Sequence, residues 1–324
     1  MNRMYRMISV FCLTACSASA AVWAQDYPAR PIRLVVPYAA GGVTDRIARG
    51  VAKKMAEGLK QPVVVDNRTG AGGNIGADIV AKSAADGYTL LFATNGPLAA
   101  NKSLYAKLSY DPERDFAPIT LLASVPYILA VNPTLPVNSV ESLVRFLKQH
   151  PGEFNYASGG TGTAQHFAGG LFKAMAGVDI GHVAYKGEAP ALADVLGGHV
   201  PMLFASIPAI VPHLKTSRLH ALAMTSTKRN ALLPELPTLS ESGLSGYSVE
   251  PWFALAGPAG LAPETVEKIN AAAVAGLKSD EMKQMLASIG GTAVGNSPAE
   301  FAAFIRTEIP RWASLVKQSG ATAE

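Results

Sequence analysis

Two long β-favouring runs constrain this chain more than any other feature. "DFAPITLLASVPYILAVNP" (115–133) has Pro126 inside it, and "YSVEPWFALAGPAG" (247–260) has Pro251. Each is too long for one ordinary strand, and each falls where one series of strand–helix units gives way to another. A segment that leaves one lobe and enters a second reads this way. With 324 residues, 49% apolar and 16% charged, the chain has the material for two cores.

Before the first run, "PIRLVVP" reads as a buried strand. From Val43, apolar residues recur at Ile47, Val51, Met55 and Leu59, one stripe of a helix. "PVVVDN" is the next strand, Ile75, Ile79 and Val80 mark a second helix, and Asp86-Gly87 turns into "YTLLFAT". Short connections between such units imply right-handed crossovers and a parallel sheet. Between the two runs, Asn138 with Glu141 predicts a capping box opening a helix at 139–149. "FNYAS", "IGHVAY", "VPMLFAS" and "LHALAMTS" then alternate with helical segments at 163–176, 189–197 and 208–215. After the second run only helices are expected, one starting at Pro263 and one at the Ser297–Glu300 capping box, packed on the first lobe. The expected architecture is α/β, with two lobes joined by two crossing strands and a ligand cleft between them. The expected domains are 25–126 with 250–324, discontinuous, and 127–249. Such clefts bind by hinge closure.

Residues 1–24 read as a signal peptide: Arg3 and Arg6, then an apolar stretch, then "VWA" before Gln25. "LTAC" ending at Cys16 is a lipobox-like alternative that would anchor the chain by a lipid. Periplasmic export is the expectation, with plain cleavage favoured because the apolar run continues past Cys16. Cys12 and Cys16 are the only cysteines, so the mature chain has no disulfide and no thiolate. Without the leader, 26 basic residues face 24 acidic ones. That balance, with no basic stripe interleaved with aromatics, excludes a nucleic-acid partner.

"PYAAGGVTD" and "YASGGTGTAQ" each leave a strand through small residues and a Gly-Gly pair into a helix. A helix opening offers unsatisfied N–H groups and the positive end of its dipole, and glycine lets an anion approach. Either turn alone could simply be capped by Thr44 or Thr163. A matched pair facing one cleft points to a small anion held between them, mostly by neutral donors: backbone N–H, Thr44, Asn95, Ser158 and Thr163. Arg46 reads as solvated, and Arg68 as paired with Asp66 or a helix end. The third glycine turn, "GAGGNIG" (70–76), puts Ile75 where a dinucleotide fingerprint needs glycine, and reads as a close-packed turn. Enzyme signatures are missing. Tyr156 occupies the first glycine position of a nucleophile elbow, the six histidines form no i, i+4 pair, and there is no P-loop. No catalytic residue, metal ligand or cofactor is expected. His166, three residues into the second turn's helix, could touch ligand or simply pack.

"YPARPIRLVVPYAAGGVTDRIAR", "DNRTGAGGNIGAD", "YASGGTGTAQHFAGGLFK" and "VAYKGEAPALADVLGGHV" together resemble the Bug family, extracytoplasmic solute receptors of tripartite tricarboxylate transporters. The resemblance runs over essentially the whole mature chain. It implies a type II periplasmic binding protein fold, a small carboxylate ligand and membrane transporter subunits as partners, and a monomer is expected. Carried onto this chain, it implies ligand contacts at Tyr38, Ala39, Ala40, Thr44 and Asp45, and at Ser158, Gly159, Gly160 and Thr163, with Asn95 and Tyr185 lining the remainder. Many relatives carry an acid after the "MF" strand, where this chain has Ala205 and Ser206. A wall without that acid, lined by Ser206, predicts a carboxylate without an amino group. A sensor feeding a membrane kinase would capture solute identically; an exported enzyme acting on a small acid is the remaining alternative.

Overall fold

A computed structural model describes residues 27–323; the leader, with Cys12 and Cys16, and the expected first mature residue Gln25 lie outside the described residues. All the strands but the last follow the runs read from the sequence. β1 (Ile32–Val36), β2 (Val63–Asn67), β3 (Thr89–Thr94) and β4 (Phe116–Ser124) come first. β5 (Tyr127–Val131), β6 (Asn155–Ser158), β7 (Gly181–Ala184), β8 (Met202–Ser206) and β9 (His220–Met224) follow, then β10 (Trp252–Pro258) and β11 (Thr292–Ala293). The helices are α1 (Val43–Leu59), α2 (Asn74–Ala81), α3 (Asn101–Leu104), α4 (Val140–Gln149), α5 (Ala164–Ala176), α6 (Glu188–Leu196), α7 (Ile207–Leu214), α8 (Pro263–Leu277), α9 (Asp280–Ser288) and α10 (Pro298–Ser319).

Two sheets result, ordered β11-β4-β10-β3-β1-β2 and β7-β6-β8-β5-β9. The first long run is two strands, β4 and β5, one in each sheet, broken at Val125-Pro126. The second re-enters the first sheet as β10. Neither sheet is purely parallel, contrary to the crossover argument. β2-β1-β3 and β7-β6-β8 are parallel, but β5 runs antiparallel to β8, and β10 antiparallel to β3. Each of these two strands enters its lobe from the other one, at the edge where the parallel strands end. Tyr127 therefore pairs with Ser206, and Phe253 with Thr94.

The apolar stripe of α1 works as its spacing predicts: Ile47, Val51, Met55 and Leu59 are buried against the first sheet. Burying each is worth about 1.5–3 kcal/mol. Ser297 and Glu300 form the expected capping box, whereas α4 is capped one residue later than expected, by Ser139 with Ser142. The C-terminal block differs in two ways. It contains the short strand β11, paired with β4, and α10 does not pack on the first sheet alone. Trp252 of β10 meets Phe304 of α10 edge-on at 5.6 Å, while Trp312 of α10 meets Phe167 of α5 at 5.5 Å. This helix touches both lobes. Buried Glu308 ties the contact together, accepting the Trp252 and Trp312 indole N–H groups at 2.7 Å each and pairing with Arg311.

Candidate functional site: the cleft between the lobes

The carboxyl ends of β1, β3, β6 and β8 converge on the gap between the sheets, the usual ligand position in open α/β folds. After β1 the chain turns through Gly41 (φ +89°) into α1, whose N-cap is Gly42. No side chain caps this helix, so Thr44 is not its cap, and the first-turn N–H groups remain open to an anion. Buried Asp45 fixes the turn from behind. It accepts hydrogen bonds from Gly41 N–H (3.1 Å), Arg49 Nε (2.9 Å) and Asn67 Nδ2 (3.0 Å). Burial pushes its carboxyl up, but the bonds from Arg49, Gly41 and Asn67 outweigh that and hold it below the usual carboxylate range. Asp45 therefore shapes the cradle; its carboxylate is engaged by protein. Tyr38 leans back toward β3, its hydroxyl 2.9 Å from that of Thr94, and burial pushes it up to about 12.

The second turn is organised differently. Thr163 caps α5, accepting from His166 N–H (3.3 Å) and donating to the Gly160 carbonyl (2.7 Å). Gly159 N–H donates to Gln165 Oε1 at 2.5 Å, and Gly160 N–H to Ser158 Oγ at 3.1 Å. Ser158 Oγ lies 2.6 Å from His182 Nε2, and His182 stacks on His166 with ring centroids 4.0 Å apart. His166 is thus part of the support of the turn: its Nδ1 accepts from Gly162 N–H at 3.3 Å. Tyr185 directs its hydroxyl to Asp194 (2.5 Å). The two expected cradles are asymmetric, the first with an uncapped helix opening and the second largely satisfied by its own side chains.

Asn95 directly follows β3, and a Cβ added at its neighbour Gly96 would lie 3.0 Å from the Gly162 carbonyl oxygen of the second lobe. Asn95 is buried, and its Nδ2 has no hydrogen-bond partner. An orphaned buried amide costs about 1–3 kcal/mol unless something completes it. The "GAGGNIG" turn is close-packed, as expected, and its neighbour is the other lobe. A methyl group at Gly72 (φ +61°) would lie 2.7 Å from the Thr161 carbonyl oxygen and 3.5 Å from Gly162 Cα. Ala39 approaches the second lobe at Gly187, where an added Cβ would be 4.0 Å away. The lobes therefore meet across the cleft.

Of the expected lining residues, the fold brings Ala39, Asn95 and the two glycine turns to this meeting edge. Arg68 pairs with Asp66, Arg49 with Asp45, and Arg46 reaches Ser288 on the surface. The wall expected to lack an acid has one. Glu188 sets its carboxylate on Ser206, accepting the hydroxyl at 2.6 Å and the N–H at 2.8 Å. The premise for a ligand without an amino group therefore does not hold. Nothing near Ser206 in sequence announces this contact, because Glu188 arrives from the start of α6. There its one signal is an acid in a first helical turn, which reads as dipole stabilisation. Among the described residues, no cluster of three or more His, Cys, Asp or Glu could hold a metal, and no helix is long and apolar enough to cross a membrane.

Two mixed sheets and a pair of crossing strands, with the lobes meeting across a cleft, define a bilobal solute-binding protein. A family described as "Tripartite tricarboxylate transporter family receptor" matches residues 47–321, and the chain belongs to it. Protein BugT of Bordetella pertussis is 39% identical over 99% of this chain and 98% of its own length. Among solved structures, R. palustris Rpa4515 with adipate is 40% identical, with a TM-score of 0.87 over 92% of this chain and 99% of that one. MatC (Rpa3494) from Rhodopseudomonas palustris with bound malate is 32% identical, with a TM-score of 0.84 over 90% of this chain and 100% of that one. The family consists of solute receptors and not of enzymes.

Proposed function

We propose that this receptor captures a small carboxylate between its lobes in the periplasm and delivers it to the membrane subunits of a tripartite tricarboxylate transporter. Residues 25–126 with 250–324 act as one lobe and 127–249 as the other, after cleavage ahead of Gln25. The carrying observation is the opening of α1: an uncapped helix N-terminus at the interlobe meeting edge, electrostatically suited to a carboxylate. The unpartnered Asn95 amide beside it supplies a further donor. The adipate and malate bound by the two structural relatives support this ligand class. Backbone N–H groups of Ala39, Ala40, Gly42, Val43 and Thr44 hold the carboxylate, while Ser158, Gly159, Gly160, Thr163 and Tyr185 close over it from the second lobe.

The test is titration calorimetry of residues 25–324 against mono-, di- and tricarboxylates. Saturable binding of at least one acid, with a crystal of that complex placing it between residues 38–45 and 158–163, is the expected result. A complex with the acid elsewhere and the cleft vacant would overturn the reading.

A further inference from the structure

Glu188 is an acid that the fold carries to the wall beyond β8, and its hydrogen bonds leave part of it open. Oε2 accepts two donors, Ser206 N–H at 2.8 Å and Gln165 Nε2 at 2.7 Å. Oε1 accepts one, the Ser206 hydroxyl at 2.6 Å. A carboxylate oxygen offers two acceptor positions, so Oε1 has room for another donor. All three protein partners donate, which holds the group as an acceptor.

Glu188 also lies at the meeting edge of the lobes. It is half-buried, although burial raises its carboxyl above the ordinary value. Its backbone N lies 3.2 Å from a Cβ added at Gly159 of the second turn. Its neighbour Gly187 stands opposite Ala39 of the first cradle, with 4.0 Å between Ala39 Cβ and a Cβ added at position 187. Gln165 links the same carboxylate to the second turn through Gly159 N–H.

We propose that Glu188 reads the end of the solute opposite its carboxylate by accepting a hydrogen bond from it. The receptor thereby selects small acids that bear a hydroxyl or ammonium group over unsubstituted dicarboxylates. A second carboxylate brought against Glu188 would meet like charge in a poorly solvated space, whereas a donor would complete Oε1. The inference rests on the carboxylate-capture reading and deepens it.

The test is calorimetry at pH 7 on the mature chain with length-matched sets of four, five and six carbons: the dicarboxylate, the ω-hydroxy acid and the ω-amino acid. The ω-hydroxy or ω-amino acid should bind at least tenfold more tightly than the dicarboxylate of its set. Preference for the ω-amino acid identifies charge pairing, and preference for the ω-hydroxy acid a neutral donor. Glu188→Gln should shrink the ratio to threefold or less, mainly by improving dicarboxylate binding. Dicarboxylates binding most tightly to the unaltered chain, or a ranking that Glu188→Gln leaves in place, would overturn the role of Glu188 while the receptor reading stood. Failure of every acid in the sets while another carboxylate binds would overturn the role of Glu188, and failure of all carboxylates would overturn both. If Glu188→Gln does not fold, the ranking in the unaltered chain still decides.

Discussion

At the scale of single residues, the site separates groups that are free to bind from groups that hold those in place. Asn95 belongs to the first kind. Its amide is buried without a partner, so Asn95→Ala should have opposite effects on affinity and stability. Loss of a hydrogen bond to a charged oxygen should weaken carboxylate binding by about 1.5–3 kcal/mol. The unliganded protein should melt no lower, because an unsatisfied group is gone. Calorimetry and thermal unfolding of the same variant check both, and unchanged affinity would remove Asn95 from the site. Thr163 belongs to the second kind, since its hydroxyl is engaged within its own turn. Thr163→Val should therefore cost about 1 kcal/mol of stability as a lost cap and lower affinity as well. Thr163→Ser should retain both. A valine variant that binds weakly but melts normally would instead put the hydroxyl on the ligand. Thr163 was legible as a cap, because it acts within a few positions of itself. Glu188 was not, because its partner lies 18 positions away and only the return of the chain through α6 and β8 brings the two together.

At the scale of elements, the second turn stands on a stack drawn from three of them. Tyr156 of β6, His182 of β7 and His166 of α5 lie ring on ring, with Tyr156 and His182 centroids 4.9 Å apart. Burial holds His166 down to about 4. Burial, with His166 alongside, holds His182 down to about 3. Both imidazoles are therefore neutral in the folded chain, while in the unfolded chain they take up protons near pH 6.5. Between about pH 6.5 and about pH 3–4 the unfolded state binds more protons, so stability must fall as pH falls through that window. Above pH 7 the pair contributes no slope. The melting temperature should drop between pH 7 and pH 4.5, and His182→Gln should flatten part of that drop; an identical slope in the variant would show that the stack is not responsible. The strands β1 to β10, the α1 stripe and the Ser297 cap were readable because period and capping are local, whereas the two-residue β11 shows no period. The direction of β5 and β10 was not, since it depends on which end of a sheet the chain enters.

At the scale of the whole molecule, closure is constrained on two sides. The helix α10 spans β10 and α5 on one side, fastened through Glu308 to Trp252 and Trp312. The sequence offered no sign of this, because an amphipathic helix shows that a face is buried and not against which neighbours. On the other side the lobes meet where the 70–76 turn touches Thr161 and Gly162. Opening about the crossing segments, as the proposed capture requires, would part this second contact. Gly72 is its tightest point, with no room for a methyl group and with a positive φ that disfavours any other residue. Gly72→Ala should therefore hold the lobes apart without disturbing either core. Small-angle scattering of the liganded variant should give a larger radius of gyration than the liganded parent, and carboxylate affinity should fall about tenfold or more, because the second turn no longer reaches the anion. Binding that stays intact in a variant of unchanged dimensions would mean that the 70–76 turn yields instead, and that closure does not depend on this contact.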